Sequence, residues 1–249
     1  MIAYGSELAG RSSNPVMRAA IRILGSYDLG ARIRFAAING AMHGLPAPQR
    51  VLDVGCGLGL LCFAMHRLWP NATFVGTDID RARLREARDM AREQGLERYI
   101  SFEHVDDQDP NAGHDVVTCV DVLEHVSDDT GFVAKLFSAT ASGGRLLLHV
   151  PALVKRRYLA DFPEQADHVR PGYDAETLAR LLRNAGFNEV HVRPTFGPLG
   201  TLGWEGFALA RQGNAIARIL LPFWYMCAAL DSVKIPQRGN GLLAVARRT

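Results

Sequence analysis

The feature that most constrains this chain is a short apolar run, Val51-Leu52-Asp53-Val54, passing directly into Gly55-Cys56-Gly57-Leu58-Gly59 and then a helical pattern. A buried strand, a glycine turn and a helix in that order are the opening unit of a sheet with helical crossovers. The pattern then repeats. Strands are expected at Arg50–Val54, Thr73–Thr77, Tyr99–Val105, His114–Val120, Arg145–Val150, Glu189–Arg193 and Leu242–Arg247. Helices are expected at Leu58–Trp69, Arg81–Gln94, Asp129–Thr140 and Asp174–Asn184, with a Ser142-Gly143-Gly144 turn before the fifth strand. Short connections between alternating strands and helices imply a parallel sheet covered on both faces, doubly wound by right-handed crossovers. The fold class is therefore α/β.

Two regions fall outside this alternation. Residues 1–44 read as an N-terminal helical cap. Its first 14 residues are loose, and two short helices follow between Pro15 and Met42, punctuated by Gly25 and Gly30. In them Val16, Ala20, Ile23 and Leu24, then Ile33, Ala37 and Ile38, keep helical spacing. Residues 45–249 form the main domain and carry a late insertion at about 195–241. That insertion is too apolar for disorder. It holds Trp204, Phe207, Phe223, Trp224 and Tyr225, bordered by Arg211, Arg218, Lys234 and Arg238. Extra core, the wall of an acceptor pocket, a peripheral membrane contact and a homodimer contact all suit such a segment.

The 249 residues carry a net charge of +2 with scattered arginines, so no nucleic-acid footprint is expected. Cys56, Cys62, Cys119 and Cys227 form no zinc-type pair, and Cys56 and Cys119 sit at strand ends as buried thiols. A reducing cytoplasm fits, with membrane association through the insertion as a variant of it. The longest uncharged apolar run, Ile219 to Leu230, is interrupted by Pro222 and falls short of a spanning helix.

The glycines follow G-x-G-x-G, whereas the dinucleotide fingerprint would need its last small residue at Leu60. Asp53, just before the loop, would repel a pyrophosphate and suits a ligand with positive charge. Asp78 ends the second strand, where a carboxylate can accept from two ribose hydroxyls; its other reading is a helix N-cap before Arg81.

With these residues in view, Val51–Gly59 resembles motif I of the class I S-adenosylmethionine-dependent methyltransferases. Val75–Asp80 resembles their acidic loop. Asp115–Val126 is similar to the fourth-strand motif ending in Leu-Glu-His, closest to the ubiquinone-biosynthesis O-methyltransferases. Gly143–Leu148 is similar to the fifth-strand turn, with Ser142 where proline is usual. The resemblance implies a seven-stranded Rossmann-like methyltransferase sheet, S-adenosyl-L-methionine as cofactor and a small-molecule acceptor; the apolar insertion makes an apolar, isoprenoid- or lipid-like acceptor one expectation for it. A silent cofactor-binding protein and an NAD(P)-dependent oxidoreductase are the alternatives.

On the cofactor side it implies roles for Asp53, Gly55, Cys56, Gly57 and Gly59, for Asp78 on the ribose and for Ile79 against adenine. Asp106 or Asp107 would take the adenine amino group, with Cys119 at the end of strand four. On the acceptor side it implies Asp121, Glu124 and His125, with Tyr173, and the insertion read as a pocket wall adds Trp224. Asp121, Glu124 and His125 also form an oxygen-and-nitrogen donor set, although no metal is expected. His168, in Asp167-His168-Val169-Arg170-Pro171-Gly172-Tyr173, and His149, at the end of strand five, are the candidates for a catalytic base.

Overall fold

The computed structural model describes residues 5–11, 13, 15, 18–19, 28–107, 113–160, 162, 168–233 and 236–249. Val16, Ala20, Ile23, Leu24 and Gly25, Asp167 and Lys234 lie outside the described residues. After a 3-10 helix at Ser6–Arg11, the described elements run α1 (Leu29–Met42), β1 (Arg50–Val54), α2 (Leu60–Leu68), β2 (Thr73–Asp78), α3 (Arg81–Glu93) and β3 (Ile100–His104). They continue with β4 (His114–Val120), α4 (Asp129–Ala139), β5 (Thr140–Pro151), α5 (Ala175–Asn184) and β6 (Asn188–Thr195). The last are α6 (Pro198–Arg211), α7 (Ala215–Ile219), α8 (Leu221–Asp231) and β7 (Gly241–Arg247).

All seven strands join one sheet in the order β3-β2-β1-β4-β5-β7-β6. Ten of the eleven expected helices and strands agree to within two residues, because apolar runs, caps and stops coincide there; the exception is the fifth strand, which begins earlier. Alternate strand residues feed opposite cores. Val51, Val116, Leu147 and Leu243 face α1, α2 and α3, where Ile38, Phe63 and Met90 are buried. Leu52, Val117, Leu146 and Leu242 face α4 and α5, where Val133, Leu136, Leu178 and Leu182 are buried. The sheet is thus doubly wound, and the strand order reverses between β1 and β4. A crevice opens there outside the carboxyl ends of the strands.

Three expectations need correction. The sheet is mixed, because β7 runs antiparallel between β5 and β6. Apolar patterning sets which face a strand buries and is silent about its direction. The Ser142-Gly143-Gly144 turn lies inside β5, since the backbone of Arg248 bonds Gly143 and Gly144 and continues the ladder past them. Gly30 does not break a helix. It is the second residue of α1, after an N-cap at Asp28, and a Cβ there would lie 3.1 Å from Trp204.

The late insertion is helical and has its own small core. Phe207, Trp224 and Ala228 pack with Leu29 and Ile33 of α1 and with Phe196. Glycines let α6 and α8 approach closely: a Cβ on Gly206 would fall 2.2 Å from the Trp224 indole.

Candidate active site

The glycine loop is built by sequence-local constraints. Gly55, Gly57 and Gly59 all hold left-handed φ, at 76°, 54° and 70°. A Cβ on Gly55 would strike Val122 and one on Gly59 would strike Phe102, each at 2.2 Å. Only glycine satisfies both the dihedral and the space. The loop is tied to β2 by Gly55 N and Cys56 N donating to Thr77 O, at 2.7 and 2.9 Å.

Asp78 belongs to this edge too. Its carboxylate accepts from Gly57 N and from Asp80 N, each at 2.8 Å. The N-cap of α3 is Asp80, which accepts from Ala82 N and Arg83 N. The helix-cap reading of Asp78 is therefore replaced by one that sets the glycine loop. Ile79 is largely exposed beside it. Asp106 and Asp107 lie exposed on a 3-10 turn after β3, with Asp107 paired loosely to Arg81 at 3.8 Å. Their neighbour Asp109 lies outside the described residues.

Asp53 is sealed at the end of β1, accepting from Thr118 Oγ1 at 2.7 Å. Burial pushes its carboxyl up to about 7, against the opposing hydrogen bonds from Thr118 and Cys62. Cys56 shares the cavity wall, while Cys119 is enclosed in the core on the far side of β4.

A cavity of about 380 Å³ opens between this loop and α1. Asp53, Gly55 and Cys56 line one side, Asp121, Glu124, His125 and His168 the other. Phe35, Ile38, Leu61, Val120 and Pro151 supply apolar wall.

Asp121 organises the side of the cavity opposite the glycine loop. It adopts φ 52°, a left-handed conformation that costs a non-glycine residue of order 1–3 kcal/mol. Three contacts hold it: its N–H donates to His149 O, Oδ1 meets His149 Nδ1 at 2.5 Å, and Oδ2 pairs with the Arg34 guanidinium. Burial alone would raise the carboxyl, but the charge of Arg34 and the bond from His149 hold it below the ordinary carboxylate range. The second ring nitrogen of His149 meets Thr195 Oγ1 at 2.9 Å. Both nitrogens of His149 are thus engaged, and its ring is buried away from the cavity wall.

Glu124 is different. Its side chain is 1% exposed, yet neither carboxylate oxygen has a hydrogen-bond partner among the described residues. Burial, then the nearby charge of Asp121, pushes it up to about 8. The rings of His125 and His168 stand edge-to-face at 4.7 Å. One donor atom each from Glu124, His125 and His168 lies within 4.8 Å of the others. One carboxylate and two imidazoles suit a divalent transition metal. The set differs from Asp121, Glu124 and His125, because both oxygens of Asp121 are taken.

The segment carrying His168 is laced to the loop after β4. Val169 N donates to the backbone carbonyl of Glu124, and Arg170 reaches Leu123 O, Ser127 O and the Tyr173 hydroxyl. Tyr173 in turn donates to Asp129 at 3.0 Å. Tyr173 thus sits behind the cavity and anchors this strap. Trp224 is also away from the cavity, its Nε1 donating to Ala217 O inside the third core.

Sequence reasoning missed Arg34. The signal was present: Ala31, Arg34, Phe35 and Ile38 form an i, i+3, i+4, i+7 stripe with one cation in it. Its partner, Asp121, is remote in sequence, so spacing alone could not pair them.

Comparison with known proteins agrees with this geometry. Residues 26–192 match a family described as a methyltransferase domain. The ubiquinone biosynthesis O-methyltransferase of Xanthomonas axonopodis pv. citri is 35% identical over 153 residues, 57% of this chain and 63% of that protein. The chain therefore spans a little under two thirds of that relative. The enzyme of the same name from Thiobacillus denitrificans is 32% identical over 172 residues, 61% of this chain and 71% of that one. Among solved structures, the [4+2]-cyclase SpnF has a TM-score of 0.63 at 22% identity, covering 88% of this chain and 82% of that one. Haemonchus contortus phosphoethanolamine N-methyltransferase 2, in complex with S-adenosyl-L-methionine, has a TM-score of 0.64 at 16% identity, covering 99% and 56%. At those identities the structures speak for the fold alone. The chain belongs to the methyltransferase domain family.

Proposed function

From that membership we propose that the protein transfers a methyl group from S-adenosylmethionine to the hydroxyl of an apolar small-molecule acceptor. The observation that carries the reading is one cavity with two unlike sides: a glycine loop with Asp53, and a buried Glu124 beside the half-buried His125 and His168. S-adenosylmethionine, when bound, supplies a methyl group already activated on a sulfonium.

The chain's own residues do the rest. The three left-handed glycines let backbone approach the ligand, Asp53 offers a carboxylate to its positive charge, and Asp78 offers one to its ribose. Phe35, Ile38 and Leu61 exclude water and hold an apolar acceptor. With an acceptor hydroxyl held in line with the methyl group that the cofactor would supply, His168 would take the hydroxyl proton. Alignment and proton removal are what such a displacement asks of a protein. His149 serves by holding Asp121, which in turn holds Arg34 and α1 over the site.

The test is a screen of quinol, phenol, lipid and amine extracts with methyl-labelled S-adenosylmethionine, identifying the labelled product. His168→Asn should lower kcat by about 10²–10⁴-fold and leave cofactor affinity unchanged. Unchanged kcat would remove His168 from the chemistry. Turnover should also survive EDTA; loss restored by a divalent ion would make Glu124, His125 and His168 a metal site. Saturable cofactor binding with no labelled product from any extract would favour a catalytically silent cofactor-binding protein.

A further inference from the structure

The helical insertion leaves one apolar face uncovered. Helix α8 has no charged residue before Asp231, and it is apolar all round. Its inner face, Trp224, Cys227 and Ala228, is buried. Its outer stripe, Phe223, Met226 and Leu230, stands open at i, i+3 and i+7. The preceding α7 adds Ile216 and Ile219, the latter 78% exposed. A helix that is apolar on every side belongs in a core or in a lipid environment. An exposed apolar stripe of this length marks a contact surface.

The charge pattern selects the partner. From Gly206 to Leu230 the sequence has no carboxylate, and its only charged residues are Arg211 and Arg218. Both are exposed; Arg211 makes a long contact to Asp28 at 3.7 Å, and Arg218 donates through Nε to Ala210 O. Apolar side chains bordered by arginines, in a stretch that carries no carboxylate of its own although Asp28 meets Arg211, match the interface of a bilayer with anionic headgroups. We infer that the outer face of α7 and α8 docks the protein on an anionic membrane surface. No described helix is long and apolar enough to cross one, so the contact is peripheral. The inference rests on the apolar-acceptor reading in one respect: such an acceptor partitions into lipid, so docking brings the cavity to it.

Vesicle co-sedimentation tests this without any acceptor. The protein should pellet with phosphatidylcholine–phosphatidylglycerol vesicles, far less with phosphatidylcholine alone, and less as salt rises. The double substitution Ile219→Glu, Phe223→Glu should weaken binding more than about tenfold, with melting temperature and cofactor affinity unchanged. Arg211→Gln should weaken it about fivefold, as expected for one basic residue near an anionic surface. Protein that stays in the supernatant with both vesicles overturns the inference. So does a concentration-dependent dimer, abolished by the double substitution, with no vesicle binding; the face would then meet a second copy. Methylation of a water-soluble phenol in either case would leave the proposed activity standing.

Discussion

The two sides of the cavity are built by different means. The side proposed for the cofactor comes from one unbroken segment, residues 53–59, plus Asp78 at the end of the neighbouring strand. Its shape is dictated by contacts between adjacent strands and by glycines that no other residue can replace. The acceptor side is assembled from α1, the loop after β4, the end of β5 and the strap at His168. It is held by a strained Asp121 and an ion pair to Arg34. The first is a rigid local device, whereas the second is a composite whose distant pieces can move or change one at a time.

The insertion offers the sharpest way to break this contrast. If it belonged to the acceptor side, Trp224→Ala would raise the acceptor KM. The indole is instead buried against Gly206 and bonded to Ala217 O. Trp224→Ala should therefore destabilise the fold by about 3–5 kcal/mol, the range for truncating a large buried aromatic. Thermal melting checks the loss, and kinetics on the surviving folded protein should show a near-normal acceptor KM. A raised KM at unchanged stability would move the insertion to the cavity wall.

The contrast also explains what the sequence could convey. Strand–turn–helix order, the three glycines, Asp53 and Asp78 were legible because each is set by neighbours within a few residues or by the adjoining strand. Glu124, His125 and His168 were legible as candidates but not as a group, since the strap that unites them depends on Arg170 reaching back to Leu123 and Ser127. His149 looked like a base because it ends a strand at the crevice, and only the structure shows Thr195 occupying its second nitrogen. The direction of β7 was hidden, because an antiparallel buried strand and a parallel one share the same apolar run. Arg34 was hidden because ion pairs across the fold leave no periodic trace.

A smaller effect sharpens the cofactor side through Asp53. Its folded value is raised to about 7 from 3.8, chiefly by burial. The folded state then holds a proton that the unfolded state releases between those values. Stability is fully present below about 4, falls as pH rises toward 7 and levels off above it. The loss is a few kcal/mol at most, because the interval from 3.8 to about 7 bounds it at about 1.4 kcal/mol per pH unit. Melting curves of cofactor-free protein between pH 5 and pH 8 should show the decline. Asp53→Asn should flatten it. A slope that persists in the variant would assign the dependence to another group.

The smallest expected effect concerns Asp78, and it separates ligand from scaffold. In the free protein its oxygens accept from Gly57 N and Asp80 N, so it already shapes the loop. If it also accepts from the cofactor's ribose, Asp78→Ala removes charged hydrogen bonds worth about 1.5–3 kcal/mol each. Water can replace part of this at a half-buried position, so the net outcome should be a tenfold or somewhat larger rise in cofactor Kd. The control is Asp80→Ala, which removes the true N-cap of α3. That change should cost about 1 kcal/mol of stability and leave cofactor Kd within twofold. Calorimetric titration of both variants decides the matter. Equal affinity in Asp78→Ala and the parent protein would confine Asp78 to holding the loop, and the cofactor side would then owe its ribose contact to another residue.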